Sequence, residues 1–463
     1  MTAMERYEGL SIPRAGDLIF GRCPRPLHVG GLVIGGGIVY PELNFTLPPM
    51  PVTAQTMPQV LQEYQQMADD ACARAAALQV PGLVLELELL PDLTREPEWG
   101  AQVTAILRER LDAYRSSHGL VSALRVTPSD LRDFIRPPLM RAGQEWERMV
   151  RSFEECAQAG ADMLAIESTG GKEIHDDALL NGDLTGALFA LGVLACRDMA
   201  FLWDMIVEVA RRRHVIAAGD TACGFGNTAM MLAGSRYIPR VWAAVIRVMT
   251  VPRSLVAYER GAVGPSKDCA YEGPFLKAIT GYPIAMEGAE AACAHSSPVG
   301  NIAKAAADLW SNESVQNVKL LGGMAPAVSM EQLAYATRLM NVASVHGRAV
   351  ELRDWLVESD AALDPQAYVL RPAVVVGLAG QIVAEPTPYL RTRRAALAAL
   401  QALREAAGQG AITLPRAEQR WLARLSAEAE QLPDDEDRFI EQAVSQIDRR
   451  KVNLDQYELA VVT

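Results

Sequence analysis

Short runs of apolar, often β-branched residues recur along the chain and alternate with longer segments of helical period. We interpret eight of these runs as strands, at residues 31–39, 82–88, 121–126, 162–167, 214–219, 254–259, 281–286 and 317–322. Apolar positions recur every three or four residues in the segments between them, at 55–79, 100–117, 144–159, 186–211 and 228–248. That spacing predicts helices. Apolar strands that alternate with helices indicate a parallel sheet covered on both faces.

The number of these units predicts the architecture. Eight strand–helix units over roughly 300 residues match a (β/α)8 TIM barrel, an α/β fold, better than an open doubly wound sheet. Strand signals fade from residue 329, and segments such as 391–407 and 415–432 are rich in Ala, Leu, Glu and Arg. Their pattern predicts amphipathic helices. We therefore expect a barrel with an N-terminal segment and the functional site at 1–328, and a helical C-terminal extension at 329–463.

Charge and cysteine usage narrow the classes of partner and compartment. The net charge of −12 argues against nucleic acid or an anionic membrane as a partner, because such surfaces are bound by clustered Lys and Arg. Residues 1–18 lack the apolar core of a secretory signal, and the apolar run 187–203 is interrupted by Arg197 and Asp198, so we expect no membrane span. Seven widely spaced cysteines without a Cys-x-x-Cys pair are typical of a reducing compartment. We predict a cytoplasmic protein.

Ionisable residues stand at or just after the ends of the predicted strands. They are Glu86, Glu88, Arg125, Glu167, Asp220, Cys223, Glu259 and Glu287, and Cys269 follows the sixth predicted strand by a longer loop. In a barrel of this kind the C-terminal strand ends form the active-site face, so we expect these side chains to converge. Converging charges are costly unless they are paired or bound to a metal ion. The pattern therefore favours a bound cation.

Three of these residues form a candidate metal-ligand set. Glu167, Cys223 and Cys269 offer one carboxylate and two thiolates, and three protein ligands are what a catalytic zinc uses when its fourth position stays open. Their separations along the chain fit no local zinc-binding spacing rule. Taken singly, the glutamate could instead fix a loop by accepting a hydrogen bond, and a loop cysteine could be inert.

Other site motifs are weaker. The sequence contains no His-Glu-x-x-His and no Gly-x-x-x-x-Gly-Lys-Ser/Thr, which removes the usual signals for a zinc protease and for a nucleotide-phosphate loop. His175 and His295 lie nearest the predicted rim, and His295 could face a substrate or form a loop hydrogen bond. We expect Lys172 to be a solvated loop residue, with anion binding at a helix start as the alternative.

Longer motifs resemble a known family over nearly the full chain. They are Ala-Ile-Glu-Ser-Thr-Gly-Gly-Lys-Glu at 165–173, Gly-Asp-Thr-Ala-Cys-Gly-Phe-Gly at 219–226, Gly-Pro-Ser-Lys-Asp-Cys-Ala-Tyr at 264–271, Tyr-Pro-Glu-Leu-Asn at 40–44, Ser-Leu-Val-Ala-Tyr-Glu at 254–259, Trp-Ser-Asn-Glu-Ser at 310–314 and Leu-Pro-Asp-Asp at 432–435. The chain resembles the zinc-containing subunit of the methanol:corrinoid methyltransferases. The resemblance implies a barrel with one zinc ion on Glu167, Cys223 and Cys269, in a homodimer that binds a separate corrinoid protein.

The resemblance also implies a reaction, the transfer of the methyl group of methanol to the cobalt(I) of a partner corrinoid. Hydroxide is a poor leaving group, so the C–O bond must be polarised by a Lewis acid or its oxygen protonated as the bond breaks. Asp220, Glu259 and Glu287 are our candidate acids, in that order. No histidine of the sequence stands in an Asp-x-His-x-x-Gly corrinoid signature, so we expect the cobalt to come on the partner.

Alternatives remain open for the substrate and for the function class. The positions flanking Cys223 are less polar than is usual in the family, so a methyl ether or a methylamine could replace methanol. A small methanol pocket would be walled by Phe225 or Met286, whereas Gly224 and Gly226 would leave room for a larger ether. A zinc hydrolase on the same barrel is a second alternative, although two thiolates make zinc a weaker acid. A non-catalytic scaffold is a third.

Overall fold

The chain begins with an antiparallel hairpin that leads into a parallel barrel. The computed structural model describes residues 6–268, 270–287 and 297–459. The hairpin consists of β1 (Arg22–Val29) and β2 (Leu32–Gly36). The barrel strands are β3 (Tyr40–Thr46), β4 (Leu83–Glu88), β5 (Ser122–Thr127), β6 (Met163–Ile166), β7 (Ile216–Asp220), β8 (Ser266–Asp268), β9 (Ile284–Glu287) and β10 (Leu309–Val315). A two-residue pair, β11 (Lys319–Leu320) and β12 (Gly323–Met324), follows.

The eight barrel strands form one sheet in the spatial order β7-β6-β5-β4-β3-β10-β9-β8, and the pairings within it are parallel. The two end strands meet through backbone hydrogen bonds from Val263 to Ala217 (2.9 Å) and from Gly264 to Ala218 (2.7 Å). Gly219 allows this approach, because a Cβ there would lie 2.5 Å from the Cβ of Ser266. The sheet therefore closes into the predicted (β/α)8 barrel.

Helices cover the outside of the barrel and continue beyond it. Those that belong to the barrel units are α1 (Met57–Ala77), α2 (Pro91–Arg95), α3 (Pro97–His118), α4 (Gln144–Gln158), α5 (Lys172–Asn181), α6 (Leu184–Leu188), α7 (Cys196–Arg213), α8 (Thr228–Gly234), α9 (Arg240–Met249), α10 (Val251–Glu259), α11 (Gly273–Thr280) and α12 (Ala325–Val345). Beyond the barrel lie α13 (Ala349–Asp360), α14 (Pro365–Tyr368), α15 (Pro372–Val383), α16 (Pro388–Gly408), α17 (Arg416–Glu430) and α18 (Glu436–Val444). Two π-helical turns, Phe189–Ala195 and Cys223–Asn227, precede α7 and α8.

The barrel interior changes from apolar to charged along the strands. Tyr40, Val84 and Ala123 form an apolar layer at the N-terminal ends, and Leu32 and Ile34 of the hairpin pack against it. Residues two apart on a strand share a face, so the next interior positions of the same strands fall toward the C-terminal ends. These positions are occupied by Glu42, Asn44, Glu86, Glu88, Arg125, Thr127 and Lys267.

Five predicted strands are confirmed in the barrel. Of the other three runs, two contain short strands outside the barrel, β2 and β11, and one lies in a helix. The runs at 82–88, 121–126, 162–167, 214–219 and 281–286 correspond to β4, β5, β6, β7 and β9. The run at 31–39 falls mainly in the hairpin, the run at 254–259 lies in α10, and the run at 317–322 follows β10. All residues of α10 are buried, so no polar stripe marks it as a helix, and a short apolar run cannot be told from a strand by periodicity.

The helical extension packs onto the barrel helices. Helix α12 begins at Ala325 and packs against α1, β3 and β10, so the predicted boundary between residues 328 and 329 falls inside a helix of the barrel. Further along, α15 packs on α11, and α16 packs on α9 and α10. The side chains of these helices join one buried cluster with those of the barrel helices. The division into 1–328 and 329–463 remains a prediction.

Two helical stretches reach the length and hydrophobicity of a membrane span. They are Leu184–Arg213 and Arg240–Glu259, and 78% and 100% of their most apolar windows are buried inside the protein. Burial of this kind is typical of core helices that pack against a sheet. The expectation that the chain has no membrane span and the cytoplasmic location both remain predictions.

Candidate functional site

Glu167 lies at the C-terminal rim of the barrel. It follows β6 directly and is half-buried, and its Oε1 is 3.6 Å from the Nζ of Lys267. The loop after it is held from one side by Asp130, whose Oδ2 accepts hydrogen bonds from the Thr169 backbone N–H at 2.9 Å and from its Oγ1 at 3.0 Å. Asp130 is itself paired with the buried guanidinium of Arg132 at 2.7 Å. The loop that carries Glu167 is therefore anchored to a buried ion pair.

Cys223 lies on the loop that follows β7, the strand paired with β6. It begins the π-helical turn after β7 and is half-buried, and Asn227 donates a hydrogen bond from Nδ2 to its Sγ at 3.9 Å. The buried carboxylate of Glu272 supports the turn, because Oε1 accepts a hydrogen bond from the Ala222 N–H at 2.8 Å. The turn therefore holds the sulfur at the same rim as Glu167.

The sulfur of Cys223 differs from those of the other described cysteines. Cys23, Cys72, Cys156 and Cys196 are free, whereas the Sγ of Cys223 lies within bonding distance of another sulfur. Cysteine binds a metal ion as the thiolate, so Cys223 would act as a ligand in its reduced form. This closeness places a second sulfur beside the candidate ligand.

Cys269 falls outside the described residues. The strand before it, β8, ends at Asp268 and pairs in parallel with β9, with Lys267 opposite Ala285. The chain thus reaches the C-terminal rim at the residue before Cys269. Among the described residues no group of three His, Cys, Asp or Glu side chains is arranged to hold a metal ion.

Asp220 is buried, and both of its carboxylate oxygens already accept hydrogen bonds. Its Oδ1 accepts a hydrogen bond from Arg253 at 2.7 Å, and its Oδ2 accepts one from the Trp203 indole at 3.3 Å. Burial raises the pKa of the Asp220 carboxyl above its usual value, and the Arg253 charge opposes that rise. The geometry makes this residue part of a buried ion pair rather than an open acid.

Arg253 ties the loop after β6 to the turn after β7. Besides Asp220, the guanidinium of Arg253 donates to the Ser168 carbonyl at 3.3 Å and to the Ser168 hydroxyl. It also lies over the ring of Phe225, 4.8 Å from the centroid. A single buried cation therefore fixes the relative positions of the two loops that carry Glu167 and Cys223.

Glu259 is not at the rim, contrary to its predicted place at a strand end. It is the last residue of α10, which runs back toward the start of β8, so it lies near the N-terminal ends of the strands. Its Oε1 pairs with Arg391 at 2.7 Å and accepts the Tyr7 N–H at 3.4 Å. Glu287 ends β9 at the C-terminal rim, and its side chain lies outside the described set.

A network of charges fills the barrel beneath this rim. Glu42 pairs with Arg125 at 2.8 Å, and Glu86 accepts a hydrogen bond from Thr127 at 2.9 Å. Burial raises the pKa of the Glu42 carboxyl to about 7, whereas the charge of Lys267 lowers the pKa of Glu88. Lys267 is only 2% exposed and lies 3.2 Å from Glu88. The site therefore opens onto a charged, not an apolar, interior.

The remaining candidates also have definite places. Lys172 is half-buried and paired with Asp176, so its predicted solvated role is wrong. The buried His175 packs edge-on against Phe225 at 5.0 Å, beneath the Cys223 turn.

Met286 follows the inward-facing Ala285 and joins the helix-facing core, since successive strand residues point to opposite faces. It does not wall the interior, and His295 lies outside the described residues.

Comparison with known proteins assigns the family. The family model described as the methanol-cobalamin methyltransferase B subunit matches residues 4–458. The chain belongs to this family. A curated methanol–corrinoid protein co-methyltransferase from Methanosarcina barkeri (strain Fusaro / DSM 804) is 37% identical over 448 residues, which is 96% of this chain and 96% of that protein.

A solved B-subunit relative has the same fold. The crystal structure of the methanol:cobalamin methyltransferase complex MtaBC from Methanosarcina barkeri matches with a TM-score of 0.95 and 35% identity, over 98% of this chain and 100% of the matched chain. The family resemblance and the barrel expected from the sequence are thereby confirmed. The match also includes the helices beyond the barrel.

The sequence reasoning missed the buried cations of this B subunit. Arg253 and Lys267 lie within or beside the motifs at 254–259 and 264–271, but neither was singled out as a site residue. The available signal was a charged residue inside an otherwise apolar run, which in a buried segment requires a partner. The partners, such as Asp220 and Glu88, lie on other strands and could not be read from neighbouring sequence.

Proposed function

We propose that this methyltransferase uses a zinc ion held by Glu167, Cys223 and Cys269 to activate methanol, and transfers the methyl group to the cobalt(I) of a corrinoid on a partner protein. The observation that carries the proposal is the match of the B-subunit family model across residues 4–458. The names of the curated relative and of the solved complex support methanol as the substrate and a corrinoid protein as the partner.

The arrangement of three strands supports the ligand set. In the sheet, β6 and β7 are paired, with Ile166 opposite Asp220, and Glu167 and Cys223 follow within a few residues of those positions. The sheet closes where β8 meets β7, and β8 leads directly to Cys269. Parallel strands end at one face of a barrel, so the three ligands would approach a metal ion from adjacent loops.

The donor chemistry also fits zinc. Carboxylate oxygen and cysteine thiolate are both established zinc ligands, and a set of three leaves one position for substrate. When bound, zinc supplies a Lewis acid that polarises the C–O bond of methanol.

The protein's own residues would orient the substrate and supply a proton. Among the candidate acids, Glu287 stands first because β9 ends at the same rim as β6 and β7. Asp220 is held by Arg253 and Trp203, so we assign it to orientation of the two loops. Glu259 is paired with Arg391 near the opposite end of the barrel.

The C-terminal face offers a surface for the corrinoid protein. Exposed apolar residues follow β5, β7 and β10 in the chain and therefore belong to the segments that leave the barrel at this face. They are Phe134, Ile135, Met231, Leu320 and Leu321, with exposures of 55%, 38%, 47%, 46% and 111%. Exposed apolar clusters of this kind are typical of protein-binding sites. A partner docked there would bring its cobalt to the open end of the site.

A second apolar surface supports the predicted homodimer. It consists of side chains on α12 and α13: Tyr335, Leu339, Val342, Val345 and Trp355. These helices lie on the side of the barrel, away from the rim that would receive the corrinoid protein. We propose that two copies of the chain associate through this surface.

The direct experiment is an anaerobic assay of the reduced, zinc-loaded chain with chemically reduced cobalamin. We expect methylcobalamin to form from methanol and not from a panel of methoxylated aromatic compounds and methylamines. A reaction mixture without any corrinoid serves as the control and should give no methyl transfer. The absorbance change from cobalt(I) to methylcobalt(III) is the readout.

Other outcomes would assign another function. A signal from a methyl ether or a methylamine, with none from methanol, would overturn the methanol proposal and leave the corrinoid proposal standing. Hydrolysis of a substrate panel without corrinoid dependence would favour a zinc hydrolase. Failure with every donor in the presence of a competent partner protein would favour a scaffold.

A further inference from the structure

Lys267 occupies the centre of the charged layer beneath the rim. It is the middle residue of β8, and its Nζ lies 3.2 Å from Glu88, 3.6 Å from Glu167 and 3.9 Å from Glu86. Its side chain is 2% exposed, and that of Glu86 is fully buried. A buried ammonium is strongly disfavoured without carboxylate partners, so these three acids determine where the lysine lies.

The other two carboxylates of the group also have neutral donors. Glu88 accepts a hydrogen bond from Asn44 Nδ2 at 3.0 Å, and Glu86 accepts one from Thr127 Oγ1 at 2.9 Å. For Glu167, the ion pair with Lys267 is made through Oε1. The lysine therefore links the candidate ligand to two acids of the barrel interior that are not part of the ligand set.

We propose that Lys267 is a positioning residue for the metal site: its ammonium holds Oε1 of Glu167, so that this carboxylate offers a single oxygen, and it keeps Glu86 and Glu88 out of the coordination shell. The inference rests on the proposed zinc site. Its consequence is that the position needed by the substrate alcohol stays open.

The physical reason lies in the local charge balance. Without the ammonium, the fully buried carboxylate of Glu86 and the partly exposed carboxylates of Glu88 and Glu167 would repel one another at close range. A divalent cation would relieve that repulsion. The metal-free protein would lose stability, whereas the metal would bind more tightly and through additional oxygens. A lysine with only a structural role would instead destabilise both forms equally.

Lys267→Met tests this, and Lys277→Met is a matched control. Lys277 is also fully buried and paired with a carboxylate, Asp308 at 2.5 Å, but it lies on α11 near the N-terminal ends of the strands. Zinc affinity is measured by competition with a chelator, and the Tm is measured with and without zinc. The visible spectrum of the cobalt(II)-substituted protein is recorded with and without methanol.

For Lys267→Met we expect zinc to bind on the order of tenfold more tightly and the rise in Tm on zinc binding to exceed that of the unaltered chain. The cobalt(II) spectrum should show a higher coordination number and should no longer respond to methanol. Lys267→Arg keeps the charge and should restore the unaltered affinity. Lys277→Met should lower the Tm with and without zinc by the same amount.

Failure of this inference can be told from failure of the zinc site itself. If Cys223→Ala loses zinc but Lys267→Met behaves like Lys277→Met, the role of Lys267 is refuted and the zinc site stands. If Cys223→Ala binds zinc as tightly as the unaltered chain, both proposals are refuted. If Lys267→Met does not fold, Lys267→Gln replaces it, because glutamine is neutral but keeps a hydrogen-bond donor. We expect the same increase in zinc affinity for Lys267→Gln.

Discussion

Buried ion pairs fix the side chains around the rim and explain which acids are available there. Asp220 is neutralised by Arg253, and Glu259 by Arg391. The sequence predicted that acids would follow the strands, because the end of an apolar run marks the end of a strand. It could not predict these pairs, since each partner belongs to another helix and only the folded chain brings them together.

Glu259→Gln tests the inference that Glu259 stabilises the fold and takes no part in the reaction. The change leaves the nearly buried guanidinium of Arg391 without its charged partner, so we expect a loss of roughly 2–3 kcal/mol in the free energy of unfolding. Zinc content and methyl transfer should persist, because the residue lies away from the rim. Denaturant unfolding measures the loss, and Glu208→Gln, which breaks an exposed pair with Arg211, is the control. Loss of methyl transfer at unchanged stability would contradict the assignment.

At the scale of secondary-structure elements, the strand predictions fail where the pattern of apolar and polar residues is unusual for the element that forms. Helix α10 is buried on every side and so resembles a strand in sequence. The strand β10 has the sequence Leu-Trp-Ser-Asn-Glu-Ser-Val, which lacks the apolar run by which the other strands are recognised. Helices with one apolar face, such as α4, were predicted with nearly correct bounds.

The exposed apolar side chains of α12 and α13 lead to a prediction about the oligomeric state. Leu339 and Val345 are 60% and 84% exposed on α12, and Trp355 is 60% exposed on α13. Placing charges on such a surface should prevent association if it is buried in a homodimer. We expect Leu339→Glu combined with Val345→Glu to convert a dimer into a folded monomer by light scattering. An equivalent change on the exposed Leu363 should leave the dimer intact, and a dimer that survives the α12 changes would contradict the proposal.

At the scale of the whole molecule, the barrel brings loops distant in sequence to one rim. The hairpin and apolar layer close one end, the charged layer lies in the middle, and the candidate ligand loops stand at the other end. The sequence was sufficient for the fold class and the family, because both follow from the repeated strand–helix pattern and from long motifs. It was insufficient for the interior charges, whose arrangement depends on the closure of the sheet.

The most direct test of the central claim is the rate of methylcobalamin formation from methanol as zinc is returned to chelator-treated, reduced protein. The account predicts no methyl transfer without zinc and full recovery at one zinc ion per chain. Cys223→Ala should not recover, whereas Cys156→Ala, which alters a free, buried cysteine in α4, should recover fully. Methyl transfer at the full rate without zinc, or full recovery in Cys223→Ala, would contradict the account.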